Sequence, residues 1–345
     1  MSVHRVRRRA AMAPAVVLAW LLAILAASLV ISVMIGSASL TPREVLRGLF
    51  TGGSQDAAAT IVQKIRLPRT LLAGTVGACL ALAGLGFQAI SRNPLADPSV
   101  LGVSSGASFG LMVAVLFGIA GPTANPALTT LFAFGGALLA ALLVYAIARV
   151  DGRLPVTTLL LSGVIIGLFF TSCVMLATVV LAAAELQGVV FWLMGNLGPA
   201  NTGTLLVLGV VLVVGVAVLV RQAPRLNILA LGEEQALQLG VEAERVKRIV
   251  FVAASLVTGA AISAAGSIGF VGLIVPHAAR LLLGPDHRAL VPTSVLLGAA
   301  FLILADVGAR TVAAPTELPV GVVTSFCGAP LFVYLLRRRR GAEAW

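Results

Sequence analysis

Apolar stretches long enough to cross a lipid bilayer recur along almost the whole chain, with only short polar intervals between them. A hydrocarbon core of about 30 Å takes about 20 residues of α-helix. The pattern therefore predicts an all-α integral membrane protein with about ten transmembrane helices, some of them short and rich in glycine. The predicted spans are 13–35, 70–90, 100–119, 127–148, 156–183, 203–220, 249–267, 268–283, 289–307 and 319–336. We interpret residues 1–345 as a single domain, embedded in the membrane from about residue 13 to 336.

The longest strongly polar interval runs from Arg221 to Arg248. It predicts two short helices, at about 227–231 and 233–239, each ended by the glycine that follows it, because glycine tolerates the positive φ of a helix C-terminus. Two interpretations remain open from the pattern alone. The interval is either a docking surface for a soluble partner or a solvated loop between two spans.

The placement of lysine and arginine predicts the orientation. With ten spans and the N-terminus inside, eighteen of the 24 basic residues fall on the cytoplasmic side and six outside. Cytoplasmic loops of membrane proteins carry such an excess, so we predict that both termini and the 221–248 interval are cytoplasmic. The first apolar run is longer than the roughly 7–15 residues of a signal-peptide core, and this favours a transmembrane helix over a cleaved leader.

Composition excludes several other classes of protein. Only 11% of the residues are charged, against roughly 25% in soluble domains. The net charge of +11 is not accompanied by the interleaved aromatic residues of nucleic-acid-binding surfaces, and it fits a membrane surface better. The three cysteines and three histidines are scattered, so we expect no disulfide framework, no metal site and no cofactor.

Glycine-rich segments precede Asn93 and follow Arg248. In lipid, small residues allow the close backbone approach that supplies much of helix packing, and we interpret these glycines in that way. The two segments run in opposite directions through the predicted membrane. This favours an inverted repeat of about four helices in each half, as in many transporters.

Two features that the sequence lacks, an acid in the middle of a span and a phosphate-binding motif, bear on how transport would be powered. No acid lies at the middle of a predicted span, and Glu185 and Asp306 fall near outer ends. An ion-coupled secondary transporter usually holds such a group near the midplane, which makes that function the weaker alternative. The chain's two lysines, Lys64 and Lys247, do not follow glycine, so the Gly-Lys-Ser/Thr of a phosphate-binding P-loop is absent. Transport driven by ATP would need a second polypeptide on the cytoplasmic face.

Three strings resemble one family of membrane proteins. They are RLPRTLLAGTVGACLALAGLGFQAISRNPLADPSVLGVSSG at 66–106, GFVGLIVPHAARLLLGPDHR at 269–288 and ELPVGVVTSFCGAP at 317–330. They resemble, in the same order, the permeases of iron–siderophore, haem and vitamin B12 ABC importers, the FecCD family. The resemblance extends over about residues 15–338.

The resemblance implies a permease subunit without enzymatic activity in the inner (plasma) membrane of a bacterium. In this family, the permease pairs with a second copy or a homologue in the lipid bilayer. Two ABC ATPase subunits bind on the cytoplasmic side, and a substrate-binding protein docks outside. The expected cargo is an iron(III)–siderophore or a related chelate such as haem or cobalamin, and nucleic acid is not a partner. A membrane scaffold that transports nothing is a further alternative, but it would leave the polar interval without a role.

The resemblance also assigns residues to four expected roles. Coupling to the ATPase falls on Leu231, Gly232, Glu233, Glu234, Ala236, Leu239 and Gly240. Docking of the binding protein falls on Arg66, Arg69 and Arg310, for which an interfacial anchor is the alternative. A cytoplasmic gate is expected at Asn93, Leu95, Thr157 and Thr158, although Asn93 also suits a simple turn cap. The expected wall of the pathway contains Ser162, Gly163, Thr324 and Ser325.

Overall fold

The computed structural model describes residues 14–36, 38, 40–50, 57–119, 121, 125–198 and 200–339. The basic residues Arg5 to Arg9 and Arg340, which contributed to the predicted orientation, lie outside this part. Within it, the chain folds into α-helices, one π-helical segment at Ile61–Arg66 and short connections, without a β-strand. The predicted all-α class is confirmed.

The helices follow one another in a simple order. They are α1 (Pro14–Met34), α2 (Pro42–Phe50), α3 (Ala57–Thr60), α4 (Leu67–Ser91), α5 (Val103–Leu116), α6 (Pro126–Ala148), α7 (Val156–Val180), α8 (Ala183–Leu193), α9 (Thr202–Leu229), α10 (Glu233–Gln238), α11 (Ala243–Ala265), α12 (Val271–Leu283), α13 (His287–Thr311) and α14 (Val320–Arg339). The π-helical segment joins α3 directly to α4.

Each predicted span coincides with one apolar helix. Of the helices in the described ranges, seven are long and apolar enough to cross a membrane, and α5, α12 and the first part of α14 are shorter apolar helices. The short helices α2, α3 and α8 were not predicted, because none of them forms a long apolar run. The inverted repeat and the cytoplasmic position of the termini stay predictions.

Helix α4 lies at the centre of the bundle and is buried along most of its length. Its glycines are the points of closest approach to other helices. A Cβ atom on Gly77 would lie 2.2 Å from the carbonyl oxygen of Gly298, and one on Gly84 would lie 2.0 Å from that of Gly272. No larger side chain fits at these two positions, which confirms the packing interpretation for Gly77 and Gly84.

Helices α5 and α12 are too short to cross the membrane, since 14 and 13 residues extend only about 20 Å. Each is preceded by irregular backbone, at 92–102 and 266–270. The first of these segments reaches into the bundle, because Pro98 contacts Gly272 at the level of Gly84, about 10 Å before the end of α4. Irregular backbone at membrane depth is tolerated where it is buried in protein or lines an aqueous cavity.

The side chain of Gln88 links α4 to α12 by hydrogen bonds. Pro276 has no N–H group, so the carbonyl of Gly272, four residues earlier, lacks its helical partner. The Gln88 side-chain amide donates to that carbonyl at 3.0 Å, and Arg280 donates to the Gln88 oxygen. The buried glutamine therefore compensates for the proline in α12.

The polar interval from Arg221 to Arg248 differs from the prediction. Helix α9 continues through Pro224 to Leu229, so the separate short helix expected at 227–231 is wrong. The part of α9 beyond residue 220 is too polar to have been included in the predicted apolar span. It nevertheless packs on the bundle through buried residues such as Leu226. The second predicted helix is confirmed as α10, and the glycine after it has a φ of 75°, as expected for a helix end.

Candidate functional site

Two adjoining clefts lie beside the irregular segments. The first, of about 420 Å³, lies between α5 and α7, and the second, of about 630 Å³, extends to α14. Both are lined by Ser99, Leu193 and Ser267, so they form one continuous concave surface, which we name the serine cleft. Additional hydroxyl groups on its wall belong to Ser104, Ser105, Ser108, Thr171 and Ser325.

The wall of the serine cleft is polar but uncharged. None of its described lining residues is acidic or basic. Its hydroxyl groups are partly satisfied within the protein: the oxygens of Ser104 and Ser267 are 2.9 Å apart, and Ser105 donates to the carbonyl of Gly102 at 3.0 Å. Such a surface offers weak, replaceable hydrogen bonds and no strong electrostatic trap, as a passage for a large polar molecule requires.

The four residues expected in the pathway wall divide into two groups. Gly163 lines the first cleft and Ser325 the second, whereas Ser162 and Thr324 are not among the lining residues and are buried. The Thr324 hydroxyl donates to the carbonyl of Gly321. Sequence reasoning missed the serines of α5 and the two irregular segments, although the run VSSGAS at 103–108 offered a visible signal.

The residues expected in the gate lie at two turns on the end of the bundle where α4 ends and α7 begins. The Asn93 side chain accepts a hydrogen bond from the Leu95 backbone at 3.0 Å, so Asn93 caps its turn, and Leu95 is half-exposed. Thr157 is exposed and Thr158 is half-buried in the first turn of α7. None of these residues lines the serine cleft, so a gating role stays a prediction.

Helix α10 is tied to both of these turns by charged side chains. Glu233 lies 3.5 Å from Arg92, the residue after α4, and 3.3 Å from Lys247 of α11. Lys247 donates to the carbonyl of Leu154, just before α7, at 2.9 Å. Residues 231–240, which we name the coupling segment after their expected role, are therefore connected to the turn before Leu95 and to the turn before Thr157.

Lys247 is the centre of this network. Its side chain is 3% exposed, and its ammonium group lies 2.5 Å from Glu244. The Glu244 carboxylate accepts a hydrogen bond from the Leu154 backbone at 2.7 Å. A buried ammonium group is stable only when it is paired and hydrogen-bonded, and Glu233, Glu244 and Leu154 supply these partners.

The outward side of the coupling segment is apolar. Leu231, Leu237 and Leu239 are between 60% and 70% exposed, whereas Ala236 is buried against the bundle. Gly232 precedes α10 with a φ of 128°, so it starts this helix rather than ending the previous one. Exposed leucines in a charged segment beyond the apolar spans are typical of a surface that binds another protein.

A second polar connection fixes the end of α9. The Asn227 amide donates to the Asp286 carboxylate at 2.6 Å, and Asn227 accepts from the His287 backbone at 2.9 Å. Hydrogen bonds from the Arg288 backbone and from Asn227 lower the pKa of Asp286, which keeps it ionised at the N-terminus of α13. The coupling segment thus starts from a helix end that is held to α13.

Arg66 and Arg310, at the opposite end of the bundle, cap α1. Arg66 is 3% exposed and donates to the carbonyls of Val33, Met34 and Ala38 at 2.9, 3.0 and 2.5 Å. Arg310, also 3% exposed, donates to the carbonyl of Ile35 at 3.2 Å. The last carbonyl groups of a helix have no intrahelical partner, and a cation satisfies both their hydrogen bonds and the helix dipole.

Arg69 belongs to a buried ion-pair cluster. It lies 2.9 Å from Asp306, which is fully buried, and 2.6 Å from Glu317. Arg310 approaches the same Asp306 carboxylate at 2.9 Å. The cluster joins α4, α13 and the segment before α14. Docking of a binding protein stays a prediction for the three arginines, and a partner's carboxylates would have to compete with these internal contacts.

Comparison with known proteins agrees with this architecture. Residues 24–338 match the model of the FecCD transport family. The cobalamin import system permease protein BtuC of Halobacterium salinarum is 49% identical over 83% of this chain and 76% of its own length. The hemin transport system permease protein HmuU of Yersinia pestis is 38% identical over 95% of this chain and 97% of its own.

A solved structure has the same fold. It is described as an inward-facing conformation of a metal-chelate type ABC transporter, and it superposes with a TM-score of 0.82 at 33% identity, covering 94% of this chain and 99% of the other. The family match extends over nearly the whole chain and includes the serine cleft, α10 and the arginine cluster. The chain is a multi-pass membrane permease and belongs to the FecCD transport family.

Proposed function

We propose that this chain is the transmembrane subunit of an ATP-driven importer that carries metal chelates or cobalamin into the cytoplasm. Hydrolysis of ATP occurs in separate ATPase subunits that bind the end of the bundle carrying α10. The observation that carries the proposal is the attachment of α10. Its apolar side is exposed, and its Glu233 is tied through Arg92 and Lys247 to the turn after α4 and the turn before α7.

The attachment explains how a movement of an ATPase is transmitted. A short helix fixed by ion pairs moves as a rigid body, whereas a loop without such contacts would absorb the displacement. A displacement of α10 acts on Arg92 through Glu233, and on Leu154 through Lys247. The turns that follow these residues carry Leu95 and Thr157, and their separation controls access to the serine cleft from the cytoplasm.

The serine cleft is one wall of the pathway. It is open on the side of α7 and α14, where Phe169 and Phe326 are more than half-exposed. A second copy of the chain, or a homologue, closes this side and completes the passage along the dimer axis. The uncharged wall accounts for transport without tight binding, because a chelate delivered by another protein needs only a passage that does not retain it.

The remaining assignments rest on the same family. A substrate-binding protein docks at the end that carries Arg66, Arg69 and Arg310, which is the outer side, and the protein resides in the cell's plasma membrane. The cobalamin and hemin permeases among its relatives indicate the class of cargo: a large, polar, metal-containing chelate. The ion-coupled alternative is weakened because the buried Asp306 is neutralised by Arg69 and Arg310.

One experiment tests the coupling. Residues 233–240 are replaced with a Gly/Ser linker of equal length, and uptake of labelled ferric siderophores, haem and cobalamin is measured in a deletion strain that expresses the other subunits. We expect normal membrane insertion, no uptake, and hydrolysis that no longer responds to the binding protein. Uptake at the unmodified level would refute the role of α10, and a cargo accepted by the unmodified chain identifies the substrate.

A further inference from the structure

A groove on the exposed apolar surface of the bundle has a basic residue at one end. The groove lies between α9 and α11, with Phe134 of α6 at its side, and has a volume of about 510 Å³. It is lined on α9 by residues from Val210 to Val218 and on α11 by residues from Arg248 to Val257. All of these lining residues are apolar except Arg248, which lies at the end of the groove nearest to α10.

The dimensions of the groove match one leaflet of a membrane. From Arg248 to Val257, α11 rises about 14 Å, close to half of a hydrocarbon core of about 30 Å. Its floor is formed where α9 and α11 touch, because a Cβ atom on Gly215 would lie 2.6 Å from Val257. The volume is also within the roughly 300–1,000 Å³ of small-molecule sites in proteins.

The positive charge at its mouth is available to a ligand. Arg221 follows Val218 by three residues on α9 and therefore shares its face. Arg221 and Arg248 are exposed, and within the described ranges neither side chain forms an ion pair or a hydrogen bond. Glu244, one turn from Arg248, does not neutralise it because its carboxylate is held by Lys247 and Leu154.

We propose that this groove binds one anionic glycerophospholipid of the leaflet nearest to α10, with an acyl chain between α9 and α11 and the phosphate at Arg248 and Arg221. Charge complementarity selects an anionic headgroup, since basic pockets between transmembrane helices favour such lipids. The bound lipid fills the space between α9 and α11, the two helices that flank the coupling segment. The site is separate from the serine cleft and does not depend on the identity of the cargo.

Native mass spectrometry of the full chain in detergent tests the site. It is titrated with phosphatidylglycerol or with phosphatidylcholine of the same acyl chains. We expect one tightly held phosphatidylglycerol and at least fivefold weaker phosphatidylcholine, since each arginine near a membrane surface contributes about 1 kcal/mol, or roughly fivefold. Inorganic phosphate in excess should not displace the lipid, because it lacks the acyl chains. Equal binding of the two lipids, or displacement by phosphate alone, would overturn the proposal.

Matched variants locate the site. Arg248→Gln should weaken phosphatidylglycerol binding roughly fivefold and leave phosphatidylcholine unchanged, whereas Arg288→Gln, an exposed arginine on α13, should change neither. Ala253→Phe fills the groove and should remove both lipids, whereas Val220→Phe, on α9 outside the lining residues, should remove neither. The proposed lipid site is wrong if Arg288→Gln has the same effect as Arg248→Gln, or if Val220→Phe has the same effect as Ala253→Phe. The groove-filling pair decides the question if the arginine variant does not fold.

Discussion

Arg69 of α4 and Asp306 of α13 form an ion pair of 2.9 Å in which the carboxylate is fully buried. The pair joins residues that are 237 positions apart in the chain. Arg310 neutralises the same carboxylate from one turn away in α13. Asp306, which the sequence offers only as an isolated acid near one end of a span, is therefore the central charge of an interhelical junction.

Asp306→Asn should destabilise the bundle. The substitution leaves the guanidinium groups of Arg69 and Arg310 close together without the charge between them, and breaking a buried pair costs roughly 3–5 kcal/mol. Unfolding in detergent by denaturant measures the loss. Glu317→Gln is the matched control, because Glu317 is 37% exposed and such a pair contributes only about 0–1 kcal/mol. Equal losses in the two variants would contradict the central position of Asp306.

Glu317→Gln should strengthen the docking of a substrate-binding protein if Arg69 takes part in it. Removing the Glu317 charge frees one side of Arg69 for a partner's carboxylate, and a pair worth up to about 1 kcal/mol corresponds to an affinity gain of up to about fivefold. The gain should be largest at low salt, where exposed charges are least screened. Binding of the cognate protein to detergent-purified transporter measures it.

The control for this docking prediction is Glu44→Gln at the same end of the molecule. Hydrogen bonds from Thr41 lower the pKa of Glu44, so this substitution also removes one full charge at neutral pH. Glu44 makes no contact with Arg69. If the substrate-binding protein has the same affinity for both variants, or if Glu317→Gln leaves its affinity unchanged, Arg69 is not a docking residue.

Glu233→Gln should reduce uptake, whereas Glu242→Gln should not. Glu233 is paired with Arg92 and Lys247, and Glu242, which lies outside the residues assigned to coupling, is exposed without an ion pair in the described structure. Loss of partly exposed pairs worth up to about 1 kcal/mol predicts a roughly fivefold loss of transport. The complex should still form and hydrolyse ATP. Uptake and hydrolysis in proteoliposomes distinguish the outcomes, and an equal loss in both variants would argue against transmission through Glu233.

Gly84→Ala should disrupt the contact between α4 and α12, whereas Gly135→Ala should be tolerated. A methyl group at Gly84 would meet the carbonyl oxygen of Gly272 at 2.0 Å, and one at Gly135 meets nothing within 4 Å. Overpacking of this kind costs typically about 1–3 kcal/mol, and alanine in an exposed helix position is neutral or gains up to about 1 kcal/mol. Thermal unfolding of the two variants measures the difference, and equal unfolding temperatures would count against close packing at Gly84.

The class of the protein and most of its spans follow from the sequence alone. Apolar length is a local property, so each of the ten predicted segments coincides with a helix, including the short ones that follow residues 102 and 270. Motif resemblance supplied the family. The glycine that ends α10 and the close packing at Gly84 were also predicted. Both depend on a property of glycine itself, namely its tolerance of a positive φ and its lack of a Cβ atom.

The contacts between polar residues depend on how the helices pack and could not be predicted from the sequence. Arg66, Arg69 and Arg310 were predicted as docking residues, with an interfacial anchor as the alternative. In the structure, Arg66 and Arg310 donate to carbonyls at the end of α1, and Arg69 contacts acids more than 200 positions away, which no local pattern predicts. The sequence also did not predict the contact between Glu233 and Lys247, or the contact between Ser104 and Ser267, which lie 163 positions apart. Burial in lipid requires a partner for every backbone polar group, but the packing of the helices determines which side chain or carbonyl supplies it.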